Sequence, residues 1–209
     1  MPCNYTKTLY NMEEIIQKLN AIYLLPEELE LLLRRVIRRD VVRKKQKLLR
    51  QGQICTRLYF IEQGLLRLYV KHGDKDRSTW FMLEGDITTA VTSFFGRIPS
   101  PETIEALENT VVWSVSWQEL QDLYERWPGF RKVGQYYTEK YYCQDDRLKM
   151  QLLTKSPGGF YDYLRENFPG IVERVPTKYL ATLMGVTVQT LMAIKRNKTG
   201  RQNPNQDKK

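Results

Sequence analysis

One change of period divides this chain and limits what it can fold into. From Val41 to about Ser116 the sequence is a series of short β-branched and aromatic runs cut by glycine turns, and past Trp127-Pro128 its period is helical. Leu58-Tyr59-Phe60-Ile61 and Leu65 to Val70 read as strands joined around Gln63-Gly64. His72-Gly73-Asp74 supplies another hairpin turn, Ser78 to Phe81 resumes the sheet, and Thr110 to Val115 is the last clear strand. Strands this short, with turns about every 8–12 residues, predict a β sandwich or barrel. Ahead of them, residues 11–20 and 26–39 have the spacing of short amphipathic helices. In the second, Pro26 and its following acids stand at the start and the basic run from Arg34 to Arg39 at the end, as the helix macrodipole favours. A partner-binding patch is the other reading of those arginines.

After the β segment, Phe130, Val133, Tyr137, Tyr141, Leu148 and Leu152 recur at mostly three- and four-residue steps, which predicts one helix over 129–153. A helix of that length needs a surface for its stripe, either the β body or the same helix of a second copy. We read the stripe as a dimerisation seam, kept wet by its tyrosines and Gln144.

Composition narrows the chemistry. The chain has 209 residues, ordinary globular proportions of apolar and charged groups, and a net charge of +9. Its three cysteines, Cys3, Cys55 and Cys143, show no metal or disulfide rhythm, and His72 is its one histidine. Histidine-based metal triads and cysteine clusters are therefore excluded, and no catalytic or metal-binding set emerges. His72 itself reads as a solvated turn residue. Neither a signal segment nor an apolar run of bilayer length stands out, so a soluble, cytoplasmic protein with no membrane partner is expected.

The charge is uneven. Residues 155–209 carry ten basic and four acidic groups, while the first 154 residues are nearly balanced. A small basic module of this kind suits a polyanion. Within it, residues 177–197 have the layout of a helix-turn-helix. Pro176 opens the first helix, Leu180 and Leu183 face inward, and Ala181 is small where two helices cross. Gly185 falls where a left-handed residue must end the first helix, Val186 plugs the turn, and Thr187 caps the second helix. Leu191 and Ile194 then face inward, leaving Val188, Gln189, Met192, Ala193 and Arg196 outward. That second helix suits the DNA major groove: Gln189 can pair with adenine, Thr187 and Thr190 suit phosphates, and Lys178, Lys195, Arg196 and Lys198 add backbone charge.

At this point nearly the whole chain resembles a known family. Leu48-Leu49-Arg50-Gln51-Gly52-Gln53 and Leu58 to Arg67 look like the cyclic-nucleotide-binding β-roll. With the long helix and terminal helix-turn-helix, the order is similar to the Crp/Fnr family of bacterial transcription regulators. The strings Thr79-Trp80-Phe81, Tyr141-Tyr142 and Val175 to Ala181 look like its Bacteroidetes branch. The resemblance implies an α+β fold. An antiparallel, jelly-roll-like β-roll with flanking helices would occupy 1–128, a dimerisation helix 129–153, a winged helix-turn-helix 154–198 and a basic flexible tail 199–209. It implies a homodimer that binds a palindromic site on double-stranded DNA, works with RNA polymerase, needs no cofactor and senses a small-molecule effector.

The likeness has departures. In relatives that bind cyclic AMP, a Gly-Glu pair holds the ribose and an Arg-Ser pair holds the phosphate; the latter falls here on Ser100-Pro101, with Arg97 as a substitute. The implied effector pocket is Glu84, Gly85, Phe94, Arg97 and Ser100, and an effector other than cyclic AMP is expected. The reading helix has Val188 and Ala193 where the family often has basic residues. Three other readings stay open: a cyclic-nucleotide-activated regulator, a cupin-like metal enzyme, and a protein-binding module without DNA specificity.

Overall fold

The computed structural model describes residues 11–73 and 75–200, without the side chains of His72 and Thr199. The expectations for Cys3, for the His72 side chain and for the tail at 201–209 lie outside the described residues. Helix α1 (Met12–Asn20) opens on Asn11, whose side chain accepts the Glu14 N–H at 3.1 Å. Helix α2 (Glu27–Val36) follows Pro26 and carries acids in its first turn and Arg34 and Arg35 in its last. It ends before the expected residue 39. Ile37 is extended and Arg38 and Arg39 begin a strand, because β-branched Val41 and Val42 ladder with the last strand of the sheet. Arg39 is a sheet residue, its guanidinium 2.6 and 2.7 Å from the carboxylate oxygens of Glu62.

Eight strands follow: β1 (Arg38–Val42), β2 (Lys47–Leu49), β3 (Arg57–Gln63), β4 (Leu66–His72), β5 (Lys75–Met82), β6 (Ile87–Thr88), β7 (Thr103–Ala106) and β8 (Thr110–Ser116). They form two antiparallel sheets, ordered β1-β8-β3-β6 and β2-β7-β4-β5. Helix α3 (Val91–Gly96) lies between β6 and β7. The β3–β4 turn requires Gly64: its φ is +112°, and a Cβ there would sit 2.4 Å from Thr110 Oγ1 and 2.7 Å from Thr110 Cα.

Alternation along the strands builds two cores. Ile61, Leu66, Ile104, Ala106 and Val112 are fully buried with Phe94 of α3. On β3 and β8, the intervening Leu58, Phe60, Trp113 and Val115 point to the other side of their sheet, which α1, α2 and α4 (Trp117–Arg126) cover. Ser116 and Glu119 form a reciprocal capping box that starts α4.

A 3₁₀ turn at Pro128–Phe130 leads into α5 (Arg131–Thr154), the expected long helix. Part of its stripe is covered within the single chain. Phe130 and Val133 are buried in the core of the β body, Tyr137 packs on that core, and Leu148 packs on a second cluster. Tyr141 Oη accepts the Ile87 N–H at 2.7 Å. Phe130 and Val133 are thus buried within one chain, and Tyr137, Tyr141 and Leu148 are half-buried. The face left exposed carries Tyr136, Cys143 and Met150 at seven-residue steps, followed by Leu153.

Helices α6 (Pro157–Asn167), α7 (Pro169–Arg174), α8 (Thr177–Met184) and α9 (Val188–Gly200) complete the described chain. Their core is shared with the β body: Phe160, Leu164, Ile171, Leu180 and Leu191 pack with Leu65, Trp80 and Phe81. Trp80 meets the ring of Phe168 edge-on at 5.1 Å. No strand follows Ser116 among the described residues, so the expected wing has no counterpart there; α7 fills the chain between α6 and α8, and α9 runs on to Gly200.

Candidate nucleic-acid interface and sensor region

The α8–turn–α9 unit is built by local chemistry. Gly185 ends α8 with φ +67°, and the Val186 N–H reaches back to the Ala181 carbonyl. Thr187 then caps α9 by accepting the Thr190 N–H at 3.1 Å, and the two hydroxyls lie 2.9 Å apart. Leu180, Ala181 and Leu191 are buried where the helices cross. On the outer side Gln189 and Arg196 are exposed, with Met192 between them at 60% exposure. Residues 189, 192, 193 and 196 share one helical face.

Several expected DNA contacts are placed differently. Val188 is half-buried and packs on the second core, so it belongs to the hinge of the motif rather than to its outer face. Lys195 is half-buried, with its Nζ 3.3 Å from Thr177 Oγ1, and burial lowers its pKa. Lys198 pairs with Asp162 of α6. Lys178 is exposed, its ammonium 4.6 Å from the Tyr179 ring centroid. Ala193 is half-buried beside the outer face. The structure brings Thr187, Gln189, Thr190 and Arg196 to the exposed side and turns Lys195 and Lys198 back toward the module.

The expected effector residues are each engaged within the fold. Glu84 receives a two-pronged hydrogen bond from Arg174 of α7, at 2.7 and 2.9 Å, and accepts the Gly64 N–H at 2.8 Å. Burial works against its carboxylate, yet these bonds outweigh it and hold the pKa below the usual value. Gly85 is a turn residue with φ +83°. Phe94 is fully buried core. Ser100 is buried and donates to the Glu102 carbonyl at 2.8 Å. Arg97 donates to the Cys55 carbonyl at 2.8 Å and lies 4.8 Å from the Trp117 ring centroid. A phosphate needs a cation or several N–H groups; Arg97 is committed to a carbonyl and a ring, and Glu84 to Arg174 of α7.

A buried junction joins the two halves. Arg67 of β4 is 1% exposed, and its guanidinium stacks 4.3 Å from the Tyr69 centroid and 4.0 Å from that of Tyr179 on α8. Its Nε donates to Ser78 Oγ at 2.9 Å. Ser78 in turn donates to the Tyr179 carbonyl at 3.1 Å and lies 2.8 Å from Thr182 Oγ1. The signal was an arginine inside Leu65-Leu66-Arg67-Leu68-Tyr69-Val70, a run otherwise apolar on both faces. Such a run is covered on both sides, and a charge within it requires partners.

Among the described residues no three His, Cys, Asp or Glu side chains are placed to hold a metal ion, and no helix is long and apolar enough to cross a membrane.

Comparison with known proteins agrees with this architecture. The family profile of the cyclic nucleotide-binding domain matches residues 39–126. No curated protein matches the chain. Among solved structures, FixK2 from Bradyrhizobium japonicum superposes with a TM-score of 0.67 at 14% identity, over 83% of this chain and 90% of that one. A transcriptional regulator assigned to the Crp/Fnr family, from Eubacterium rectale, gives 0.66 at 16% identity over 85% of each chain. A CooA variant from Carboxydothermus hydrogenoformans gives 0.63 at 16% identity, over 92% of this chain and 85% of that one. Residues 39–126 thus match the cyclic nucleotide-binding domain, in a chain whose fold is similar to that of the Crp/Fnr regulators.

Proposed function

We propose that this protein is a homodimeric, DNA-binding transcription regulator of the Crp/Fnr type, a binding protein rather than an enzyme, acting in the cytoplasm with RNA polymerase as a partner. Residues 1–128 form the sensor, 129–153 the dimerisation helix and 154–198 the DNA-binding unit. The observation that carries the reading is the exposed face of α9, where Gln189 and Arg196 flank Met192 on a helix opened by a capped threonine. Thr187 and Thr190 stand at its start for phosphates, and Gln189 and Arg196 choose the bases. The exposed row Tyr136, Cys143, Met150 and Leu153 supports a seam between two α5 helices. Two α9 helices held that way enter successive major grooves about 34 Å apart.

Selection from random double-stranded DNA tests the proposal. The expected result is an enriched palindrome, bound with an affinity that falls on the order of 10³-fold between about 50 and 200 mM salt. No enriched motif would overturn it in favour of a protein-binding module.

A second reading makes a cyclic nucleotide the activator, and the match over residues 39–126 favours it. The positions of Arg97 and Ser100 argue against it. Calorimetric titration with cyclic AMP and cyclic GMP separates the two, an effector other than a cyclic nucleotide being expected to leave both titrations without heat.

A further inference from the structure

Strand β5 runs along α8. Ser78 lies against Tyr179 and Thr182, its N–H nitrogen 3.2 Å from Thr182 Oγ1. The neighbouring Arg77 reaches the far end of the helix, where its Nη2 stands 3.6 Å from the place of a Cβ on Gly185. Gly185 ends α8, and Thr187, the cap of α9, follows two residues on, within about 7 Å along the chain. Going back along β5 from Ser78 to Arg77 thus follows α8 toward its C-terminal end. Lys75 and the β4–β5 turn continue past Gly185 in that direction, by about 7 Å over two strand residues.

The hairpin brings exposed cations there: Lys71, Lys75 and Arg77. The side chains of Lys75 and Arg77 make no hydrogen bond or ion pair among the described residues. Of the hairpin's two acids, Asp76 is half-buried and paired with Arg67 at 3.4 Å, and Asp74 lies outside the described residues. Across the junction, no Asp or Glu occurs between Glu173 and Asp207, so α8, the turn and α9 add no negative charge. A protein partner needs apolar surface to bury, and among the described residues none of the exposed large apolar side chains lies on this hairpin. A polyanion needs only cations set beside one another.

We propose that the β4–β5 hairpin is a second DNA-binding element, in which Lys75 and Arg77 contact phosphates beside those met by the start of α9. The proposal rests on the DNA-binding reading of α9 and adds to it contacts from the β body that carry no base specificity. Because these cations belong to the β body, full affinity requires α8 to stay seated on β5. A shift of the α6–α9 module would separate the two sets of contacts.

The test measures binding of the full chain to the selected palindrome and to a scrambled duplex of equal length, from about 50 to 200 mM salt. Each phosphate contact contributes about 0.9 to the slope of log K against log salt, so two hairpins on one palindrome contribute about 1.8 per substituted residue. Lys75→Gln and Arg77→Gln should each weaken both DNAs alike, by more than about tenfold at about 50 mM salt, and the gap should shrink about tenfold by about 200 mM. Arg126→Gln makes the same change of charge on α4, against the opposite sheet, and should alter neither affinity nor slope. Ethylation of single phosphates should reveal positions that inhibit the parent and no longer inhibit Arg77→Gln. Parent-like affinity and slope in both hairpin variants would overturn the proposal in favour of a protein partner, and equal losses in Arg126→Gln would overturn it as a general effect of charge. Loss on the palindrome alone would also overturn it, by making the hairpin a reader of bases. A parent that binds neither duplex overturns the DNA-binding reading of α9 itself, and the hairpin's role with it.

Discussion

The guanidinium of Arg67 lies 4.0 Å from the ring centroid of Tyr179, so one buried cation joins strand β4 to helix α8. Ser78 continues the link by bonding both Arg67 and the Tyr179 carbonyl. The α6–α9 module is therefore fixed to the β body by polar geometry as well as by the shared core around Trp80 and Phe168.

Arg67→Leu removes both ring contacts, the bond to Ser78 and the ion pair with Asp76 while keeping an apolar filler. A desolvated cation–π contact is worth about 2 kcal/mol, and the loss should fall on α8 rather than on the sheet. Amide exchange over residues 177–184 is expected to accelerate while β3 and β8 keep their protection. Equal acceleration in the sheet would show that Arg67 supports the β body instead.

Gln189→Ala keeps the helix and removes the exposed amide in the first turn of α9. Loss of a bidentate base contact should weaken binding to the selected palindrome by about 1–3 kcal/mol. Binding to scrambled DNA should stay unchanged, because the phosphate contacts remain. A fall of the same size on both DNAs would move Gln189 to a backbone role, and competition binding at fixed salt reads the difference.

The strands of the β body and the helix-turn-helix were legible in the sequence because both depend on local rules. Glycine at 185, threonine at 187 and the alternation of β3 and β8 act within a few residues, and the structure puts each element where that chemistry directs. The partner of the α5 stripe was not legible. Spacing shows that Phe130, Val133 and Tyr137 need burial, but not whether their own β body or a second copy provides it. The same limit applies to Glu84, whose acid reads as a ligand group until Arg174, distant in sequence, is seen to hold it. The helix boundary at Val36 failed for a related reason: the ladder to β8 is long-range and overrides the local helical pattern.

Asp86 gives a pH signature. Burial raises its carboxyl pKa from the ordinary 3.8 to about 6, against the Leu83 N–H and the charges of Lys140 and Lys18. Between those two values the folded chain holds this proton more tightly than the unfolded chain. Its contribution is therefore most favourable below pH 3.8 and is lost as pH rises to about 6. Asp86→Asn keeps an acceptor for Leu83 and has no proton to lose. Above about pH 6 it should melt higher than the parent, with the gap closing as pH falls toward 4. A constant gap across the range would show that Asp86 does not titrate there.

Gly64→Ala and Gly185→Ala should differ in kind although both glycines have positive φ. At Gly185 the nearest atom to an added Cβ is Arg77 Nη2 at 3.6 Å, leaving mainly backbone strain of roughly 1 kcal/mol. At Gly64 the added Cβ meets the Thr110 backbone at 2.7 Å, so the β3–β4 turn must move. Denaturant midpoints should show a modest loss for Gly185→Ala and a loss of several kcal/mol, or failure to fold, for Gly64→Ala. Similar losses for the two would mean that the β3–β4 turn yields without strain.

Cys143 reports the proposed seam directly. It is exposed midway along the row of Tyr136 and Met150, whereas Cys55 is buried. In a parallel pair about a two-fold axis, equivalent seam residues face each other. Two Cys143 thiols then come within disulfide reach, about 4.4–6.8 Å between Cα atoms. Mild oxidation should convert the protein to a covalent dimer, and Cys143→Ser should abolish the product. Leu153→Glu, at an exposed position that the fold does not use, should lower cross-linking and shift the native mass toward a monomer. Val133→Glu should unfold the protein instead, because that side chain is already buried in its own protomer. A folded Val133→Glu monomer would return the seam to the stripe of Phe130, Val133 and Tyr137 and remove the exposed face from the dimer.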